Sequence, residues 1–593
     1  MTPQYRNLTT GEIERLERQG NSAEDWGAVR VCEPFCAECV RNSTFEGAVS
    51  LGAIVAARHT EGDLSLREGI FNSTLCNTTV GDHPAIHNVR MLSGYTLGNG
   101  VMLFNIDEMT CNADPHQAAW LEPMNENGGR KILPFGGMTI GDAYLWARYR
   151  GHKGLMERLE QFTYDLLGTD EGRYGRVGDC CVIKNTKSVH NVILRSTEND
   201  PTVVDSCIVL SDGVVGYGCT LEYGVIAVRF LLGEHVHLEF GLRLNDTVVG
   251  DNSTLARCEV GNSIIFPAHE QHHNNSFLIA GLIMGQSNIA AGGTIGSNHN
   301  SRTADNELAA GRGFWPGLCC SFKHSSRFAS YCLLAKGDYP AELDIKLPFA
   351  LVNNNAAKDQ LEVMPAYWWM YNMYAMDRNS KKFAKRDKRK LKAQHIEFDN
   401  LAPDTAEEIL HGMELLRGWM KASDGTVYAD GMEKGKRRTV ILKAEEGLKA
   451  YEEMLVFYAM KNLDGCQSSV DSCQCEREWV NIGGQLVAKP DMERLIVDVE
   501  NGTIGSWQQL HDRMDALWEA YPAQREAHAY GVLCRLAGVD QLDDTLWARY
   551  RAQYADILNY IEQQKKASRD KDDVNPFRNM TYWDDDERRA VLE

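Results

Sequence analysis

Between Val215 and Cys258 the alternation of apolar and polar positions repeats. The segments VGYGCTLEYG, LGEHVHLEFG and VGDNSTLARC begin at Val215, Leu232 and Val249, a step of 17 residues each time. Each opens with an aliphatic residue and a glycine, and a second aliphatic residue (Leu221, Leu238, Leu255) follows six positions later. A short fixed period predicts a solenoid, because one coil buries its apolar side only by stacking on the next. The aliphatic positions then form inward columns, and the glycines mark corners with no room for a Cβ.

The same opening recurs at Leu51-Gly52, Val80-Gly81-Asp82, Leu97-Gly98-Asn99 and Val177-Gly178-Asp179, and later at Val260-Gly261, Met284-Gly285 and Ile295-Gly296. Coils are therefore predicted over 31–107 and 176–355. The segments Ile86-His87-Asn88-Val89 and Val189-His190-Asn191-Val192 are expected on equivalent faces before and after the break. Within 108–175 the period changes: Leu155, Leu159, Phe162 and Leu166 recur at three and four, the spacing of a helix face. This predicts an inserted helical hairpin protruding from the solenoid.

Residues 1–30 read as a short polar helix and a connection. Residues 356–400 hold the aromatic stretch Tyr367–Tyr374, expected to lid the open end of the solenoid, and the basic run Lys381–Lys392. That run reads as a solvated linker or a partner for acidic groups, with phosphate binding as the alternative. From 401 to 593 helical patterns dominate, with Leu448, Tyr451, Leu455 and Tyr458 on one face and Trp547, Tyr550, Tyr554 and Ile561 on another.

A chain of 593 residues has room for several domains, and 43% hydrophobic with 24% charged residues describes an ordinary globular protein. The net charge of −20 argues against a general nucleic-acid binder while leaving room for one local anion site. Neither a signal pattern nor a run of about 18 apolar residues is present, so a cytoplasmic location without membrane insertion is expected. The 17 cysteines are scattered and read mostly as buried free thiols. Cys32, Cys36 and Cys39 have ligand-like spacing but are one ligand short of a zinc site.

The aliphatic-glycine steps resemble the hexapeptide repeats of the left-handed β-helix superfamily, which includes many acyltransferases and the γ-class carbonic anhydrases. The resemblance implies a left-handed parallel β-helix with an inserted helical hairpin and a C-terminal helical domain, assembled side by side as a homotrimer. The superfamily coil has eighteen residues in three sixes, so 17 implies one side shortened by a residue. The layout also resembles an uncharacterised bacterial β-helix family. The points of likeness are Asn125-Glu126-x-Gly128-Gly129-Arg130, Gly296-Ser297-Asn298, Leu347-Pro348-Phe349 and Lys385-Arg386-Asp387-Lys388-Arg389. That second likeness brings no activity with it.

For chemistry, three loops each place a histidine among amides and hydroxyls: His272–Ser276, Asn298–Arg302 and Lys323–Arg327. From His273 to His299 is 26 residues and from His299 to His324 is 25, spacings that would stack the three imidazoles on one face. His299, His273 or His324 could then serve as general base toward a sugar hydroxyl, with acyl transfer as the default reaction. The same three could hold a divalent metal in a hydratase or lyase. Asn298, Asn300, Arg302, Lys323 and Arg327 would bind a sugar, sugar phosphate or nucleotide sugar. The glycine-rich loop adds Asn125, Glu126 as acid/base and Arg130 as anion clamp. The cofactor is left open: an acyl-coenzyme A donor on the first reading, a divalent metal on the second. Polar ladders that merely cap solvent-facing corners, in a non-catalytic scaffold, are the competing explanation. No Walker A motif, dinucleotide fingerprint or G-x-S-x-G elbow is present, which argues against an ATPase, a dehydrogenase and an α/β-hydrolase.

Overall fold

The computed structural model describes residues 4–112, 114–169, 172–296, 306–423, 425–463, 475–571 and 575–592. Val215 pairs with Leu232 and Leu232 with Val249 in parallel register, and Leu221, Leu238 and Leu255 form a second such column. All six side chains are buried. The chain is a parallel β-solenoid with helices inserted in it and following it.

One coil shows how the period is built. Its three sides are Thr220–Glu222 and the two halves of Ile226–Leu232, which bend about Arg229. Arg229 turns that corner alone in the left-handed conformation (φ 48°), and Asp212 and Asp246 do the same in the coils below and above (φ 56° and 49°). The sides thus keep their full length, and the shortening expected of one side falls in this one-residue corner instead. At the glycine corner, space is the constraint. A Cβ on Gly216 would lie 2.2 Å from the Gly233 carbonyl oxygen of the next coil. The acidic or amide residue after the glycine binds across coils: Asn99 Oδ1 accepts from the Asp82 amide at 2.8 Å and Asp179 Oδ1 from the Asn99 amide at 2.7 Å. This explains the Asp or Asn that follows the glycine at positions 82, 99, 179 and 251.

Helix α1 (Thr10–Arg18) caps the start, with Thr9 and Glu12 forming a reciprocal capping box. Helices α2 (Ile140–Arg148) and α3 (Lys153–Leu167) form the insertion. They do not protrude. The outward column Ile193, Val214, Leu231, Val248, Ile264 and Leu282 is apolar, and it is buried in one cluster with the insertion's Leu145, Leu155 and Leu159. Tyr144 meets Phe266 edge-on at 5.3 Å. Each such side chain buried stabilises by roughly 1.5–3 kcal/mol, so a hairpin left in solvent would forfeit the whole column.

Past the last coils, α4 (Tyr367–Tyr371) lies over the solenoid end: Trp368 Nε1 donates to the Tyr331 carbonyl at 2.8 Å, and the Trp315 and Trp368 rings are 5.6 Å apart. Helix α4 thus packs against the last coils through Trp368. Helix α5 (Met373–Arg386) carries the first half of the basic run. The second half is not helical, and while Lys388, Lys390 and Lys392 keep their side chains in solvent, Arg389 does not. This half is a strap laid across the glycine corners, where Arg389 is buried against Asp251 and Asp387, and the amides of Lys390 and Lys392 donate to Asp200 and Glu234. Helices α6 (Pro403–Lys421), α7 (Ala444–Asn462), α8 (Lys489–Glu500), α9 (Trp507–Ala537) and α10 (Asp544–Asp570) follow. Trp507 Nε1 donates to Thr163 Oγ1 at 2.9 Å, which ties α9 to the insertion.

Candidate functional site

The strand register places two members of the histidine row, His273 and His324. Phe277, Thr294, Ser321 and Asp338 stack in one column. His273 precedes that side of the solenoid and His324 follows it, so the two occupy opposite corners. Spacings of 25 and 26 do not mark one register here, because the stacked positions Thr294 and Ser321 are 27 apart and Phe277 and Thr294 only 17. His273 is exposed and His324 buried. His299, Asn298, Asn300 and Arg302 lie outside the described residues. Among the described residues, no group of three or more histidine, cysteine or acidic side chains has metal-site geometry.

Lys323 and Arg327 are engaged with the next coil. Lys323 Nζ lies 3.2 Å from Glu342, and Arg327 pairs with its register partner Asp344 at 2.8 Å. Arg130 makes a two-point pair with Glu307 (Nη2–Oε2 3.0 Å) and donates to the Ala147 carbonyl, so it fastens the glycine-rich loop instead of clamping an anion. Asn125 closes that turn, accepting from the Gly128 and Asn127 amides, and Glu126 is half-buried within it. His87 and His190 also part company: His87 stacks on Phe104 and Lys184, His190 on Thr110.

A different place gathers polar and aromatic groups. Helix α5 crosses the last coils and leaves a cavity of about 230 Å³. Arg378, Asn379, Lys382 and Phe383 line it from the helix; Glu270, Ser287, Asn288, Trp315 and Tyr331 line it from the coils; Trp368 closes it from the lid. Glu270 is the hub of its polar side. Its carboxylate is 3.1 Å from His272 Nδ1, 3.6 Å from Lys382 Nζ and 3.5 Å from Arg386. Burial pushes the Lys382 ammonium below the usual lysine range, and Glu270 works against that shift.

Behind the wall lies a buried relay. Gln271 Nε2 donates to Ser276, which aims its Oε1 at His269 Nε2 (3.2 Å). That nitrogen therefore carries the proton, and His269 Nδ1 accepts from the Ser287 hydroxyl at 2.8 Å. Full burial pulls the His269 pKa down to about 4, so the imidazole stays neutral and orients Ser287.

All these cavity residues fall inside residues 5–420, which match the family described as Domain of unknown function (DUF4954). The chain belongs to the DUF4954 family. A protein of Treponema pallidum (strain Nichols), itself described as an uncharacterized protein, is similar to it throughout: 42% identical over 651 aligned positions, covering 99% of this chain and 90% of the relative. The likeness therefore extends through α7 to α10, beyond the matched family region. Among the described residues of this DUF4954 protein, no helix is long and apolar enough to cross a membrane.

Sequence reasoning came near the DUF4954 cavity from two directions without joining them. It singled out the basic run and the aromatic lid, but nothing in the order of residues shows that Lys382 of one shares a cavity with Trp315 and Asn288, 67 and 94 residues earlier. Only the crossing of α5 over the coils brings them together.

Proposed function

We propose that this DUF4954 protein binds and acts on a phosphorylated sugar in the cavity beneath α5. The observation that carries the reading is the pairing, in one enclosed space, of two cations from a single helix with indole and phenol faces from the coils and lid. Arg378 suits bidentate contact with a phosphate and Lys382 adds a point charge. The tryptophans offer apolar faces to a sugar ring, and Asn288 and Asn379 supply amides for its hydroxyls. A volume of about 230 Å³ is below the roughly 300–1,000 Å³ of pockets for drug-sized ligands, which favours a monosaccharide phosphate over a nucleotide sugar or an acyl-coenzyme A held whole. Glu270 lines the cavity and holds His272 Nδ1 at 3.1 Å, and on this reading the pair supplies the acid–base group that takes a proton from a sugar hydroxyl. Acyl transfer to that hydroxyl fits this arrangement, with His272 as the base in place of His273, His299 or His324.

Calorimetry with glucose 6-phosphate, other hexose phosphates and the free hexoses tests the reading. Binding restricted to phosphorylated sugars, and weakened at least tenfold by Lys382→Ala combined with Arg378→Ala, supports it. Equal binding of free and phosphorylated sugars, or full binding by the double variant, overturns it.

A further inference from the structure

On the first coils, far along the chain from α5, two cysteines stand apart from the rest. Cys36 precedes and Cys39 ends the turn Ala37–Cys39, and their sulfurs face each other 2.6 Å apart. Cys39 is buried and Cys36 only half-buried. Cys32, which shares their spacing in sequence, sits on a different corner beside the register partner of Leu51 and takes no part. Three cysteines of the middle coils behave differently. Cys207, Cys219 and Cys258 are buried singly, and each hands its thiol proton to a carbonyl of the neighbouring coil (Leu221, Gly233 and Gln271, at 3.3, 3.1 and 3.5 Å). Those thiols are structural.

The pair opens on a cavity of about 470 Å³. Its walls include Arg41, Arg58, Arg67 and Phe71 together with both cysteines. One wall is the antiparallel hairpin Arg58–Glu61 with Leu64–Arg67, an excursion from the coil that brings two of the three guanidiniums to this space. Arg58 is held by Ser65, whose carbonyl oxygen accepts at 2.9 Å. The floor carboxylate, Glu68, is almost fully buried and already satisfied by His59, His83 and the Val55 amide, at 3.2, 3.1 and 2.6 Å. Glu38 also lines the cavity and is paired with Arg15, so three guanidiniums there face two carboxylates that already have partners.

We infer that Cys36 and Cys39 form a thiol–disulfide exchange site for a low-molecular-weight disulfide bearing carboxylates, which the three arginines recruit. Cys36, the more accessible sulfur, attacks one sulfur of the ligand's S–S bond, its proton passing to solvent or to Glu38, whose Oε2 lies 3.8 Å away. An S–S bond forms between Cys36 and half the ligand, and the other half leaves as a thiolate that takes up a proton. Cys39 then loses its proton and attacks Cys36, forming the Cys36–Cys39 disulfide and expelling the second thiol. Two electrons and two protons pass from the protein dithiol to the ligand, giving two thiols. Burial, with Cys36, Glu68 and Glu38 adding to it, pushes the Cys39 thiol up to about 12, so Cys39 stays protonated until the first exchange has occurred. The site shares no residue with the cavity beneath α5 and does not depend on it.

The test uses the full-length reduced protein, oxidised glutathione as the anionic probe and 2-hydroxyethyl disulfide as the neutral one, with products mapped by peptide mass spectrometry. The inference expects a Cys36–Cys39 disulfide in the wild type, and a stable glutathione adduct on Cys36 in Cys39→Ser. It also expects the rate with oxidised glutathione to fall about tenfold in Arg58→Ala combined with Arg67→Ala, the scale of electrostatic recruitment, with little change for the neutral probe. Cys39→Ser without an adduct, a disulfide that forms equally fast in both arginine backgrounds, or oxidation confined to other cysteines overturns it. Circular dichroism confirms that each variant is folded. Tight zinc binding by the reduced pair that blocks exchange would likewise overturn it.

Discussion

Arg389 reaches back 138 residues to Asp251: Nη1 and Oδ2 are 2.5 Å apart and both side chains are almost wholly buried. The same guanidinium holds Asp387 at 2.8 Å and donates to the Gln394 carbonyl at 2.6 Å. The strap is thereby fixed to a glycine corner through a charge that water cannot reach.

Removing one partner of such a pair leaves the other charge buried and uncompensated. Arg389→Ala should cost about 3–5 kcal/mol in urea denaturation, against 0–1 kcal/mol for the exposed Arg494→Ala, which gives up a surface pair with Asp491. Equal losses in the two variants would show the strap to be dispensable.

Glycine tolerance should follow the geometry of the coil. Gly216→Ala drives a methyl into a backbone carbonyl that cannot move aside and should destabilise by about 1–3 kcal/mol. Gly418→Ala, in α6 with open space around the added atom, should stabilise by about 0.5–1 kcal/mol. Thermal melts of the two variants, moving in opposite directions, check both expectations at once.

Protonation of His269 gives an acid-side signature. The folded pKa is about 4, below the ordinary imidazole value near 6.5, so the unfolded chain binds the extra proton first as pH falls. Its contribution is fully present above about pH 6.5 and is lost progressively down to about pH 4, an effect of roughly 3 kcal/mol at 1.36 kcal/mol per pH unit. The stability gap between wild type and His269→Gln should therefore shift in favour of the variant across that window. A gap independent of pH would mean that the imidazole is not held neutral.

Leu231 tests the docking of the insertion. It is fully buried in the cluster shared by the outer solenoid face and the α2–α3 hairpin. Leu231→Asp should open residues 108–175 to limited proteolysis while coils remote from Leu231 keep their hydrogen-exchange protection. Resistance equal to wild type would place the hairpin's anchorage elsewhere.

What the sequence disclosed and what it hid have physical reasons. The columns through Val215 and Leu221 were legible because coil after coil repeats an aliphatic residue with a glycine for clearance, several adding Asp or Asn for the cross-coil hydrogen bond. The outward column through Leu231 was not, because three successive apolar residues, Phe230, Leu231 and Leu232, look alike whichever way they point. The histidine row was misread because a residue count is not a register: a loop may leave the coil at any corner, and His273 and His324 leave at different ones. Arg389 was hidden by its company. A basic run suggests solvent, and nothing local says that one arginine in it faces a buried aspartate far upstream.

The strap has a consequence for how this solenoid can change length. It touches Asp200, Glu234 and Asp251, and Gln286 reaches the Glu397 carbonyl at its far end. It therefore works as a ruler laid against the rungs, which are spaced at roughly 4.8 Å. A rung gained or lost between those marks would throw every later mark out of line. Relatives of different length should thus vary before Asp200 or in the excursions from the coils, and keep the measured stretch constant.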